Sequence, residues 1–129
     1  MKVTFYGAAR TVTGSKHMLT TISGKKVLLD CGLFQNKGAA DSNRHLGFNP
    51  SELDYVILSH AHIDHSGALP ILVKQGFTGA IYCTRATYDL CRIMLADSAK
   101  IQESDIAYIN KKRERKGKTP LSPYTTRIM

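Results

Sequence analysis

Cysteine, proline and long apolar runs are all scarce in this sequence, and each scarcity removes a class of protein. Three cysteines, Cys31, Cys83 and Cys91, occur in 129 residues. Their odd number and the lack of any C-x-x-C pair exclude a disulfide framework and a thiolate zinc cluster, so buried, reduced thiols are expected. No stretch approaches the ~18 apolar residues of a membrane span. The chain opens directly on strand-like residues 2–6, without the apolar core of a signal peptide, so it reads as cytoplasmic with no membrane partner. Four prolines, no internal repeat and no low-complexity linker leave no boundary inside the chain, and 129 residues suit one modest domain. The small-residue loop over residues 7–15 lacks the G-K-[ST] ending of a P-loop. Ser15 lacks the G-x-S-x-G elbow of a serine hydrolase.

Acidic residues are also few, 10 against 18 Lys and Arg, for a net charge of +8. Residues 1–99 carry 10 basic and 7 acidic side chains, a net +3, whereas residues 100–129 carry 8 and 3, a net +5. The excess centres on Lys111, Lys112, Arg113, Arg115 and Lys116, a run suited to a polyanion such as RNA. A solvated helix end is the competing reading, because cations there complement the helix dipole.

What the sequence does have is histidine in one place. Ser59-His60-Ala61-His62-Ile63-Asp64-His65-Ser66-Gly67 packs three imidazoles and a carboxylate into six consecutive positions. The pattern H-x-H-x-D-H should arise by chance in on the order of one in 10⁴ chains of this length. Side chains two apart on extended backbone point the same way, so His60 and His62 can pinch one ion. Asp64 and His65, being adjacent, diverge where the chain turns into a helix and can reach a second. Imidazole and carboxylate without thiolate favour zinc, with manganese or iron behind it. Ala61 and Gly67 are small where the backbone is expected to run close to the ions, and Ser66 is placed to cap a helix from Ala68 to about Gln75.

Elsewhere, β-branched and apolar character predicts strands over residues 2–6, 17–22, 26–30, 55–58 and 79–83, with a turn at residues 23–26. Thr84 is a good N-cap for a helix to about Asp97, a second helical stretch is expected from Ser98 to Arg115, and Pro120 and Pro123 break any helix beyond. The strand over residues 26–30 ends in Asp30, from which a carboxylate could orient the histidine loop from behind. His17 and His45 lie outside the histidine run and read as surface or locally bonded.

Four segments together resemble the metallo-β-lactamase superfamily, and within it the β-CASP RNA-processing nucleases. They are residues 7–15 (GAARTVTGS), residues 28–35 (LLDCGLFQ), the histidine run itself, and residues 97–103 (DSAKIQE). The histidine run marks the superfamily, while the first and last segments look specific to the RNA-processing branch.

The resemblance implies an α/β fold, the αββα sandwich with a two-zinc site at one edge of its sheets. It implies that His60 and His62 hold the first zinc, Asp64 and His65 the second, and that Asp30 buttresses the loop. A metal-bound hydroxide beside Asp64 would then attack an RNA phosphodiester. Family members take a further histidine and a bridging aspartate from later strands, followed by the β-CASP insertion. These 129 residues therefore read as the N-terminal half of the sandwich, inactive alone and inclined to self-associate through an uncovered sheet. A hydrolase of another branch, acting on an ester or thioester, and a non-catalytic RNA-binding scaffold are the alternatives.

Overall fold

A computed structural model describes residues 1–123 of the chain. Five strands form one sheet in the order β1-β2-β3-β4-β5: Lys2–Gly7, Lys16–Thr20, Lys26–Leu29, Tyr55–Ile57 and Ala80–Tyr82. β1, β2 and β3 pair antiparallel, and β3, β4 and β5 pair parallel. The antiparallel half needs only tight connections. Between β2 and β3 the Thr21 hydroxyl accepts from the Lys25 N–H at 3.0 Å, and Gly24 takes the left-handed backbone that the turn requires, at φ 82°. The parallel half needs crossovers, which supply α1 (Ala39–Arg44), a 3₁₀ turn (Pro50–Glu52), α2 (Ile63–Ser66) and α3 (Leu69–Lys74). A final helix, α4, runs from Arg85 to Glu114.

Because side chains alternate across a strand, the register divides the sheet into two unlike faces. Met18, Leu28 and Val56 lie side by side on the covered face and are buried. They pack with Leu58, Ile71, Leu72, Phe77 and Cys91 into one core, with α3 and α4 on that side. The opposite face carries two complete rows across all five strands. One is Val3, Leu19, Val27, Tyr55 and Ala80, the other Phe5, His17, Leu29, Ile57 and Tyr82. Apart from His17 these residues are apolar, and several are open: Phe5 is 63% exposed, Ile57 48% and Tyr82 56%. The sheet thus has helices on one side and nothing among the described residues on the other.

Three expectations are corrected. The stretch from Thr84 onward forms a single helix of 30 residues, where two were expected. Thr84 does cap it, accepting from the Thr87 N–H at 3.3 Å, but the Asp97-Ser98 junction does not break it. Thr87, Cys91, Ala99, Gln102 and Ile106 continue one buried stripe past that point. Secondly, Cys83 is exposed, and only Cys31 and Cys91 are buried. Thirdly, Ser66 ends α2 and does not cap α3, which starts at Leu69 after Ala68 with no side-chain cap. The expected His17 and His45 placements agree with the structure: His17 packs edge-on against Phe5, ring centroids 5.1 Å apart, and His45 is exposed.

Exposed apolar sheet faces of this extent favour association. Expressed alone, the 129-residue chain is expected to sediment as concentration-dependent oligomers. Phe5→Lys with Ile57→Lys should shift it toward monomer while leaving its helical circular dichroism intact. A wild-type chain that remains monomeric at every concentration would refute this.

Candidate metal centre

The histidine loop is held where two parallel strands end. β3 runs out at Leu29 into Asp30, and β4 runs out at Ile57 into Leu58, Ser59 and His60. The Asp30 N–H bonds the Ile57 carbonyl at 2.9 Å, so the two strand ends stay in register to the last residue. The chain then turns at His62, the N-cap of α2. A four-residue helix leaves its carbonyls unpaired within itself, and here neighbouring backbone takes them. Leu33 N–H bonds Ile63 O at 3.0 Å, Ser15 N–H bonds Asp64 O at 2.9 Å, and Cys31 N–H bonds His65 O at 2.7 Å. Ser66, fully buried, donates its hydroxyl to Ala61 O at 2.8 Å and to His62 O at 3.1 Å. The segment after β3 and the loop before β2 therefore clamp α2 from both sides.

That clamp requires close approach. A Cβ on Gly32 would sit 1.6 Å from the Asp64 carbonyl oxygen, so only glycine fits there. Ala61 and Gly67 are small where the packing around them is tight. Ala61 is part of the core, and a Cβ on Gly67 would meet Ile63 O at 2.6 Å and Leu33 at 2.9 Å.

On this frame the side chains converge. The His60 ring lies 4.7 Å from that of His62 and 4.1 Å from that of His65, centroid to centroid. Asp30, in the left-handed backbone region at φ 59°, turns its carboxylate beneath them. Its Oδ1 accepts the Ser59 N–H at 2.8 Å, and its Oδ2 accepts the Ser59 hydroxyl at 2.9 Å and the His65 Nδ1–H at 2.8 Å. The other ring nitrogen of His65, Nε2, faces Asp64 Oδ2 at 3.5 Å. The donor set of three imidazoles and a carboxylate, without thiolate, suits a borderline divalent ion. Among the described residues no three His, Cys, Asp or Glu side chains are placed to hold one metal ion as they stand.

Two buried groups flank the clamp. Lys16, 2% exposed, lies 4.3 Å above the Phe34 ring and donates to Gly14 O at 3.4 Å. Burial lowers its ammonium below the ordinary lysine value, partly offset by nearby Cys31. Burial pushes the Cys31 thiol up to about 12, which leaves it inert as a nucleophile or ligand at neutral pH.

The expected cationic run, Lys111, Lys112, Arg113, Arg115 and Lys116, sits at the far end of α4, largely exposed. Arg113 Nε donates to Thr119 O at 2.7 Å, and the Lys112 ammonium lies 5.0 Å from the Tyr108 ring. Ile63 of α2 borders α4 at Met94 to Ile101, and at 1.5 Å per residue Lys111 lies about 20 Å farther along the axis from Ser98. The structure thus brings together Asp30, His60, His62, Asp64 and His65, and leaves the basic run apart from them. The residue that sequence reasoning passed over is Ser59, whose only signal was a hydroxyl immediately before His60.

The fold is a mixed five-stranded sheet with helices on one face and a histidine loop at the carboxyl ends of its parallel strands. Comparison with known families agrees: the metallo-beta-lactamase superfamily model matches residues 17–126. The chain belongs to the metallo-β-lactamase superfamily, and the relatives it matches support the β-CASP branch within it. It is 48% identical over 103 residues to Ribonuclease TTHA0252 of Thermus thermophilus, covering 80% of this chain and 24% of that protein. It is 40% identical over 110 residues to Integrator complex subunit 11 of Danio rerio, covering 78% and 18%. It is 36% identical over 118 residues to Transcription termination factor FttA of Methanocaldococcus jannaschii, covering 86% and 18%. The chain spans about a quarter or less of the length of these relatives. Membership implies a metal cofactor. No helix among the described residues is long and apolar enough to cross a membrane.

If the cluster is a metal centre, calorimetric titration with zinc should show His62→Ala or Asp64→Ala weakening the tightest site by at least about tenfold. Equal binding by both variants and the wild type would remove these residues from the ligand set.

Proposed function

We propose that this chain supplies the histidine loop of a metal-dependent ribonuclease that hydrolyses RNA phosphodiester bonds in the cytoplasm. The observation that carries the reading is the convergence of His60, His62, Asp64 and His65 over Asp30. The likeness to Ribonuclease TTHA0252 favours RNA over an ester or thioester substrate. His60 and His62 would hold one ion and Asp64 and His65 a second, with zinc the best match to the donors and manganese next. A bound divalent ion would supply Lewis acidity, acidifying a water and neutralising phosphate charge.

The chain's own residues do the positioning. Asp30 keeps the proton of His65 on Nδ1 and so reserves Nε2 for the ion. The backbone bond from Ser15 to the Asp64 carbonyl, with those to Ile63 and His65, keeps α2 from sliding along the strand ends. Asp64 places its carboxylate at the Nε2 side of His65, 3.5 Å away, where the two together would hold an ion that acidifies the attacking water. The open sheet face leaves room for a further layer against β3 and β4, beside the histidine loop.

Full-length protein is expected to cleave labelled single-stranded RNA in the presence of zinc or manganese and to lose the activity on chelation. Ready turnover of thioesters with RNA left intact would replace this reading with the ester-hydrolase one.

The basic end of α4 is the part of the chain suited to guiding RNA. Lys111, Lys112, Arg113, Arg115 and Lys116 would contact phosphates along the strand, with Lys111 about 15–20 Å along the helix axis from the stretch that α2 borders. Neutralising Lys111, Lys112 and Arg113 should weaken RNA binding and flatten its log–log salt dependence by about 0.7 per lost phosphate contact. An unchanged slope would return this run to a solvated helix end.

A further inference from the structure

We infer that Ser59 is a positioning residue that relays the Asp30 carboxylate to His60 and fixes the tautomer in which His60 can ligate. The inference rests on the metal-centre reading and extends it to a residue that does not itself touch the ion. Asp30 reaches His65 directly, Oδ2 to Nδ1 at 2.8 Å. It reaches His60 through one intermediate, since the Ser59 hydroxyl lies 2.9 Å from Asp30 Oδ2 and 2.9 Å from His60 Nδ1.

Counting protons settles the direction of this chain. A carboxylate only accepts, so the single hydroxyl proton of Ser59 goes to Asp30. The serine oxygen can then only accept from His60, which places the imidazole proton on Nδ1 and leaves a lone pair on Nε2. One buried carboxylate therefore sets two imidazoles in the same tautomer, one by direct contact and one through a hydroxyl. The Ser59 N–H holds the other carboxylate oxygen at 2.8 Å, so the relay is braced even as the histidine rings turn. Without the hydroxyl, His60 Nδ1 would bond water and its proton would redistribute toward Nε2, the position the ion needs empty.

The test compares Ser59→Ala and Ser59→Thr in full-length protein labelled with ¹⁵N on histidine. Spectra are read without metal in alkaline buffer, where free imidazole is neutral, and zinc affinity is measured by calorimetry. In the wild type, His60 and His65 should both carry the proton on Nδ1. Ser59→Ala should shift His60 toward the Nε2–H form, leave His65 unchanged and weaken zinc binding by about tenfold or more. Ser59→Thr, which keeps the hydroxyl, should restore both. A purely structural serine would move neither signal selectively. An Ala variant with His60 still protonated on Nδ1 and wild-type zinc affinity would overturn the inference. Zinc binding unchanged in both His62→Ala and Asp64→Ala would overturn the metal-centre reading itself, and this inference with it.

Discussion

The carboxylate of Asp30 is the point through which the rest of the site is held together. It stands at the end of β3, receives the backbone and side chain of the residue following Leu58 beyond β4, and receives an imidazole from α2. Three separate pieces of chain therefore meet on two oxygen atoms. A buried carboxylate is costly to desolvate unless its lone pairs are filled, and here three donors fill them. The left-handed backbone of Asp30 is part of the same arrangement. Aspartate tolerates that region better than most residues, and the turn swings its carboxylate from the strand direction to the underside of the histidines.

From that anchor the architecture follows in two directions. At the carboxyl ends of β3 and β4, where parallel strands present their loops, the chain places its ligand-type side chains, the usual position for a site in a parallel sheet. Across the sheet, the register sorts apolar residues onto both faces. Among the described residues α3 and α4 cover one face, and the other remains largely apolar and open. Ligand loop and bare face share strands β3 and β4, so whatever covers the one constrains the other through the strand ends.

Much of this was legible in the sequence because the signals are local. The five strands were marked by β-branched and apolar runs, and their observed bounds differ by a residue or two at the ends. The histidine run was legible because its ligand-type residues lie within six consecutive positions. What local pattern could not show is equally specific. α1 carries only two buried side chains, Ala39 and Asn43, too few for a periodicity; Asn43 is there to hold both backbone groups of Phe34, at 2.8 and 2.9 Å. The continuity of α4 was obscured by Asp97 and Ser98, weak helix formers whose preference is overridden by the buried stripe running from Cys91 to Ile106. The exposure of Cys83 follows from its place just past β5 at the edge of the sheet, which composition does not record. The link from Asp30 to Ser59 spans 29 positions and depends on two strands pairing in parallel, a tertiary fact.

Gly32 carries no functional group, yet its hydrogen atom faces the Asp64 carbonyl where a methyl would overlap it. A mutational scan scored only by activity would rank this glycine beside the histidines, and a chemist reading that ranking would look there for a reactive role. The ranking would be reporting clearance. Replacing it would drive the strand end and α2 apart like a wedge, spoiling ligand geometry while leaving every ligand in place. In such a site, intolerance to change marks the narrowest gap between backbones as surely as it marks the atoms that react.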